Sequence, residues 1–162
     1  TGCISIAVLH SVKHASAVAV DISPIALRTA GRNANKHGVG DRLTLQMGDV
    51  FEGLNGSFDL IASNPPYVPA TDIAGLQPEV RDFEPHLALS GGLDGLDVVQ
   101  RIVAGASQLL NSGGSLLIEI GFGEADGVRQ IVDPPIWDDV RFLPDLQGIP
   151  RIFAARMADR AS

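Results

Sequence analysis

Residues 64–67 read Asn64-Pro65-Pro66-Tyr67, directly behind the short apolar run Asp59-Leu60-Ile61-Ala62-Ser63, which reads as a buried strand. Two consecutive prolines fix two φ angles at about −65° and remove two backbone donors. Each also biases the residue before it towards extended geometry. A strand running into this tetrapeptide must therefore stop at Asn64, whose side chain is then held on a stiff, exposed corner. A side-chain amide presents one acceptor and two donors in a single plane, which suits recognition of another planar nitrogen group. Pro-Pro is also ordinary loop punctuation, so the tetrapeptide taken alone leaves a plain turn open.

The chain around this corner has 162 residues, enough for one domain with a real core. Its 45% hydrophobic and 19% charged content excludes a disordered polymer. No apolar stretch approaches the ~18 residues of a membrane-spanning helix, so no membrane partner is expected. Cys3 is the sole cysteine and has no internal disulfide partner, which fits a reducing, cytoplasmic setting. The net charge is −7 and the 12 basic residues are scattered. Direct nucleic-acid binding is therefore not expected, because phosphate contacts need clustered Lys and Arg. The chain starts at Thr1 without a methionine, and Gly2 to Leu9 reads as the first turns of an apolar helix with no strand before it. The expectation is a segment of a longer protein.

After that helix, Ala17-Val18-Ala19-Val20 reads as a short buried strand ending at Asp21. Ser23 is a good helix N-cap and Pro24 suits the first helical position, with the helix closing near Gly38 and Gly40. Leu43 to Met47 and Phe58 to Ser63 are further strands, the second leading into the Asn64 corner. The irregular segment from Val68 to Gly95 is too long for a simple connection, which marks it as functional. An amphipathic helix is expected from Leu96 to Leu110, ending at Gly113-Gly114, then a strand Ser115–Ile120 and a short helix 125–132. Val140–Phe142 and Ile152–Ala155 are expected to close the sheet as a pair. Alternating strands and helices predict a mostly parallel α/β sheet with helices on both faces. Ligands then bind beyond the carboxyl ends of the strands, where Asp21, Asp49 and Asn64 all fall.

An acid at Asp21 can accept from both ribose hydroxyls of a nucleotide-like cofactor, or it can be a solvated or capping aspartate. Gly2 stands where backbone could approach a ligand at a helix start. Asp49 could accept from an adenine amino group with Val50 packing on the ring; a strand-end turn explains it as well. His10 and His14 have helical i, i+4 spacing but no adjacent Glu and no third ligand, so no metal is assigned. Cys3 reads as a small buried hydrophobe. Glu119, in mid-strand within an apolar run, could be a buried partner for a loop donor, and its role stays open.

With these residues placed, the chain closely resembles the HemK-type (PrmC) family, the N5-glutamine methyltransferases of peptide chain release factors. Thr1-Gly2 looks like the end of the family's Gly-x-Gly-x-Gly cofactor loop, Asp21-Ile22-Ser23-Pro24 like its ribose turn, and Gly48-Asp49-Val50 like its adenine-side turn. Asn64-Pro65-Pro66-Tyr67 matches the catalytic corner. Glu79 to Pro85, Leu87-Ala88-Leu89 and Gly91 to Asp97 match a long stretch typical of the family, and Asp145 to Arg151 its terminal hairpin. The resemblance implies a class I S-adenosylmethionine-dependent methyltransferase fold, Rossmann-like with a C-terminal antiparallel hairpin. Residues 1–162 would be a partial catalytic domain, without the family's N-terminal domain and its first, central strand. In the family that strand lies between the Ala17–Val20 and Phe58–Ser63 strands, so the segment is expected to fold poorly alone and to bind cofactor weakly.

The resemblance further implies that Thr1, Gly2, Asp21, Asp49, Val50 and Asn64 contact S-adenosylmethionine, leaving S-adenosylhomocysteine as product. Asn64 and Pro65 would accept hydrogen bonds from the substrate glutamine NH₂, in the release factor's Gly-Gly-Gln motif. Pro66 and Tyr67 complete the substrate contact, with Tyr67 packing on the flat amide. The related enzymes acting on ribosomal protein L3 typically carry a histidine where this chain has Phe83, which favours the release-factor branch. Rival readings are a nucleic-acid base N-methyltransferase, a nicotinamide dehydrogenase and a non-catalytic cofactor-binding fragment.

Overall fold

A computed structural model describes residues 1–159. The chain divides into two compact units, Thr1–Leu54 and a second that begins at Asn55.

The first unit opens with helix α1 (Cys3–Ser11), capped by Gly2 in a left-handed conformation at φ 74°. Strand β1 (Ala17–Asp21) follows. Helix α2 (Pro24–Lys36) starts as the sequence predicts, with Pro24 in its first turn and the Ser23 Oγ accepting from the Ala26 N–H at 3.2 Å. A single 3-10 turn, Gly40–Arg42, leads into β2 (Leu43–Met47), which pairs in parallel with β1. The unit's core is Ile6, Leu9, Ala34 and Val39, with Ala15, Ala17 and Leu43 packed against it. Helix α1 is apolar nearly all round and turns Ile6 and Leu9 inward, the amphipathic α2 contributes Ala34, and Arg42 closes the core. Its guanidinium donates to the carbonyls of Leu9, Val12 and Ala15 at 2.7, 3.1 and 2.9 Å, satisfying the carbonyls that α1 leaves open at its end.

The second unit holds β3 (Phe58–Ser63), then short helices α3 (Pro78–Arg81) and α4 (His86–Leu89) within the long irregular segment. Helix α5 (Asp97–Leu109) buries Val99, Ile102, Val103 and Ala106, the i, i+3, i+4, i+7 stripe of a core-facing helix. Strand β4 (Leu110–Glu119) leads to α6 (Ala125–Ile131) and the hairpin β5 (Trp137–Pro144) and β6 (Pro150–Met157). The strand order is β3-β4-β6-β5, parallel between β3 and β4 and antiparallel through the hairpin. Leu116, Ile118, Ile120 and Phe153 are fully buried, and Phe153 pairs with Ile118 across the ladder.

Several expectations change. Helix α5 stops at Leu109, before Gly113-Gly114, and the glycines lie instead in an irregularity of β4, which advances five residues while β3 advances two. The Arg156 guanidinium donates to the Gly113 carbonyl there at 3.1 Å. β1 and β3 are not buried strands: Val18 and Leu60 are exposed and β3 has no buried residue. Among the described residues each pairs on one edge only, β1 with β2 and β3 with β4. Cys3 is exposed in the first turn of α1, not a buried hydrophobe. His14 lies beyond the end of α1, so it and His10 do not share a helix face. Glu119 is the last residue of β4, not a mid-strand one.

Candidate active site

In the first unit the carboxyl ends of β1 and β2 lie side by side, since Asp21 pairs with Met47. The Gly48-Asp49-Val50 turn therefore leaves β2 next to Asp21, and the Gly48 N–H donates to the Asp21 carbonyl at 3.3 Å. Asp21 is half-buried, and its Oδ1 accepts from the Ser23 N–H at 2.8 Å, shaping the turn into α2. Asp49 is exposed, and its carbonyl accepts from the Glu52 N–H at 3.0 Å. Val50 sits at φ 55°, a rare state for a β-branched residue that only surrounding structure can hold. A Cβ on Gly2 would stand 2.9 Å from the Ala30 Cβ, so packing against α2 already demands glycine there. Thr1 is exposed, and its carbonyl accepts from the Asn33 Nδ2 at 3.0 Å.

In the second unit the last β3–β4 pair is Ser63 with Ile118, so Asn64 and Glu119 are the next residues on adjacent strands. Asn64 is exposed, Pro65 buried, and Pro66 and Tyr67 half-buried. The chain after the corner is braced by backbone bonds: the Val68 N–H donates to Leu89 at 2.9 Å and the Gly91 N–H to Val68 at 2.9 Å. The Glu119 carboxylate lies within electrostatic reach of the Tyr67 phenol. Burial raises the Tyr67 phenol above its ordinary range, the negative charge of Glu119 raises it further, and Arg151 opposes both. The phenol therefore stays a neutral donor.

Glu124 carries no signal in the sequence reading, yet it stands in the same cluster. Its Oε2 accepts from the Gly121 N–H at 2.7 Å, and burial raises its carboxyl above the ordinary value, with a smaller contribution from Asp94. The Gly121-Phe122-Gly123-Glu124 turn directly after β4 is the signal that marks it. A groove of about 660 Å³ runs along the irregular segment, with Ala70, Ile73, Arg81, Asp82, His86 and Leu87 in its wall. Among the described residues no group of three or more His, Cys, Asp or Glu could hold a metal, and no helix is long and apolar enough to cross a membrane.

Comparison with known proteins agrees with the resemblance read from the residues. Residues 1–77 match the model of the family described as methyltransferase small domain. The release factor glutamine methyltransferase of Geobacter sulfurreducens is 44% identical over 158 residues, 97% of this chain and 55% of that protein. The ribosomal protein uL3 glutamine methyltransferase of Bradyrhizobium diazoefficiens is 44% identical over 146 residues, 86% of this chain and 44% of that one. The chain thus spans about half the length of the curated relatives it matches. A methyltransferase of Pyrococcus furiosus superposes with a TM-score of 0.69 at 15% identity, covering 96% of this chain and 70% of the other. The fold is that of the class I methyltransferases, and the sequence resemblance to release factor glutamine methyltransferases extends along nearly the whole chain.

Proposed function

We propose that this chain is part of the catalytic domain of a cytoplasmic enzyme that methylates the side-chain amide nitrogen (N5) of a glutamine in peptide chain release factors. The observation that carries the reading is the corner Asn64–Tyr67 at the carboxyl end of β3, with Asn64 exposed and two prolines fixing the φ angles behind it. The 44% identity with a protein of that activity supports it.

An amide nitrogen is a poor nucleophile because its lone pair is delocalised into the carbonyl. The Asn64 Oδ1 and the Pro65 carbonyl would accept hydrogen bonds from the substrate NH₂ and aim the nitrogen, while Tyr67 packs on the amide and Pro66 keeps the corner stiff. Alignment of this kind can lower a barrier by roughly 7–11 kcal/mol. The donor set of the first unit suits an adenosine. Asp21 and Asp49 offer two carboxylates at neighbouring strand ends, fit to accept from ribose hydroxyls and an amino group. Bound S-adenosylmethionine would supply an electrophilic methyl group; Asp21, Asp49 and Val50 would hold its nucleoside, with Thr1 and Gly2 of the same unit as further contacts. No strong general base is needed, since the proton becomes acidic once the nitrogen is methylated.

The test is to incubate the full-length protein with methyl-labelled S-adenosylmethionine and a release factor, and map the label by mass spectrometry. The expected result is one methyl on the glutamine of the Gly-Gly-Gln motif. Ribosomal protein uL3 belongs in the same experiment because a relative acts on it; label on uL3 and none on the release factor overturns the reading. Phe83, where the resemblance places a histidine in the enzymes acting on the ribosomal protein, is 84% exposed.

A further inference from the structure

We propose that Leu93, Phe122 and Leu146 form an apolar rim around the Asn64 corner, on which the protein substrate docks with the surface flanking its target glutamine; this rests on the function proposed above and deepens it. The sheet places two of the three. The β3–β4 ladder closes with Ser63–Ile118 and the β4–β6 ladder with Glu119–Ile152, so the end of β4 and the start of β6 share one rim with Asn64. Strand order sets β6 two spacings from β3, about 10 Å along that rim. Phe122 lies in the turn that leaves β4 there. The β5–β6 hairpin still pairs at Pro144–Pro150, so its tip, with Leu146, reaches past the Glu119–Ile152 pair. Leu93 comes to the same corner along the irregular segment. It lies between Gly91, whose N–H donates to the Val68 carbonyl at 2.9 Å, and Gly95, where a Cβ would lie 2.5 Å from the Tyr67 carbonyl oxygen.

Each of these turns is held without help from its apolar residue. Asp145 builds the hairpin tip: its Oδ1 accepts from the Gln147 and Ile149 N–H groups at 2.8 and 3.0 Å, and its own N–H donates to the Ile149 carbonyl at 2.8 Å. Gly148 supplies the positive φ there, +83°. Glu124 builds the second turn, its Oε2 accepting from the Gly121 N–H at 2.7 Å. The third is closed by the Asp97 N–H on the Gly91 carbonyl at 2.9 Å and the Ala70 N–H on the Gly92 carbonyl at 2.8 Å. Turn chemistry of this kind favours small polar residues, yet Leu146 is fully exposed, Leu93 83% and Phe122 74%. Apolar residues scattered singly over a surface are ordinary; three held on fixed turns around one corner mark a contact surface. The occupant follows from the position. A glutamine presented by a folded protein enters the Asn64 corner with its neighbouring surface laid against these turns.

The experiment compares Leu146→Ser, Phe122→Ser and the double variant with the parent, all as full-length protein, using methyl-labelled S-adenosylmethionine and release factor. Each single change should raise KM for release factor about tenfold, the scale of truncating an apolar anchor at a protein interface. kcat and KM for S-adenosylmethionine should stay within about twofold of the parent, as expected when only substrate binding is lost. Thermal unfolding should not move, since neither side chain is buried. Leu146→p-benzoylphenylalanine gives a readout independent of turnover: on irradiation it should crosslink to release factor. Parental KM in the double variant, a loss of kcat in place of the KM rise, or no crosslink overturns the rim. So does lost thermal stability with KM unchanged, which would show that another part of the same protein covers these side chains. A parent that leaves release factor unlabelled overturns the function and the rim with it; a labelled release factor with parental KM in the variants overturns the rim alone.

Discussion

A Cβ built on Gly95 would stand 2.5 Å from the carbonyl oxygen of Tyr67, and closer still to a carboxylate oxygen of Glu124. Gly95 itself holds φ at +87°, so the chain passes here in a conformation and at a distance that only glycine accepts. The long irregular segment is thereby clamped to the corner that ends β3.

Gly95→Ala should accordingly act on both stability and the corner. Forcing an alanine to positive φ costs about 1 kcal/mol, and the backbone clash brings the expected loss to about 2–4 kcal/mol. Urea unfolding of the full-length protein measures it. A loss below half a kilocalorie, roughly the scale of a neutral surface change, would show that the segment relaxes away from Tyr67 freely.

Asn64→Ala should separate catalysis from folding. The side chain is exposed at the end of β3, so thermal unfolding should hardly move. Methyl transfer should fall by on the order of 10²-fold or more, the scale for losing a preorganised polar group at a reacting centre. A variant with near-parental kcat on release factor removes Asn64 from the mechanism.

The elements were legible where local chemistry alone decides them. Ser23-Pro24 opens α2 because a hydroxyl cap and a proline need no tertiary help, and the Asn64-Pro65-Pro66 corner ends β3 for the same reason. What depended on neighbours was not legible. Gly113-Gly114 reads as a helix stop, yet the helix ends earlier because Leu110 already pairs with Phe58. Val18 and Leu60 read as buried because strand composition says nothing about which edge or face is covered. Glu119 was visible as an oddity, but Tyr67, whose phenol its charge reaches, lies 52 positions away and is brought near only by the β3–β4 register. Glu124 escaped notice altogether, since its role comes from two glycines that approach it in space.

The turn at Ser23 and the proposed cofactor contact meet at Asp21, and two substitutions tell them apart. Its Oδ1 accepts from the Ser23 N–H, a turn that Asn can reproduce and Ala cannot. Asp21→Ala should therefore lose about 1 kcal/mol of stability while Asp21→Asn loses little. Both should weaken S-adenosylmethionine binding, the alanine variant by about 1.5–3 kcal/mol for charged hydrogen bonds. Titration calorimetry decides: unchanged affinity in Asp21→Ala would leave it as a turn residue only.

Glu124 gives the protein a pH dependence whose sign follows from its surroundings. Burial raises its carboxyl above the ordinary value, the Gly121 N–H pulls the other way, and Asp94 adds to the rise. The folded protein therefore binds this proton more tightly than the unfolded chain does, and stability falls with pH wherever that holds. The contribution is complete below the ordinary carboxylate pKa and disappears as the pH rises through the raised, folded-state one. Glu124→Gln keeps an oxygen for the Gly121 N–H and never ionises, so it should flatten this part of the profile. Urea unfolding at a series of pH values from the acid range to neutrality checks it: the variant should gain on the parent as pH rises. Parallel curves across that window would mean that Glu124 is solvated enough to ionise without cost.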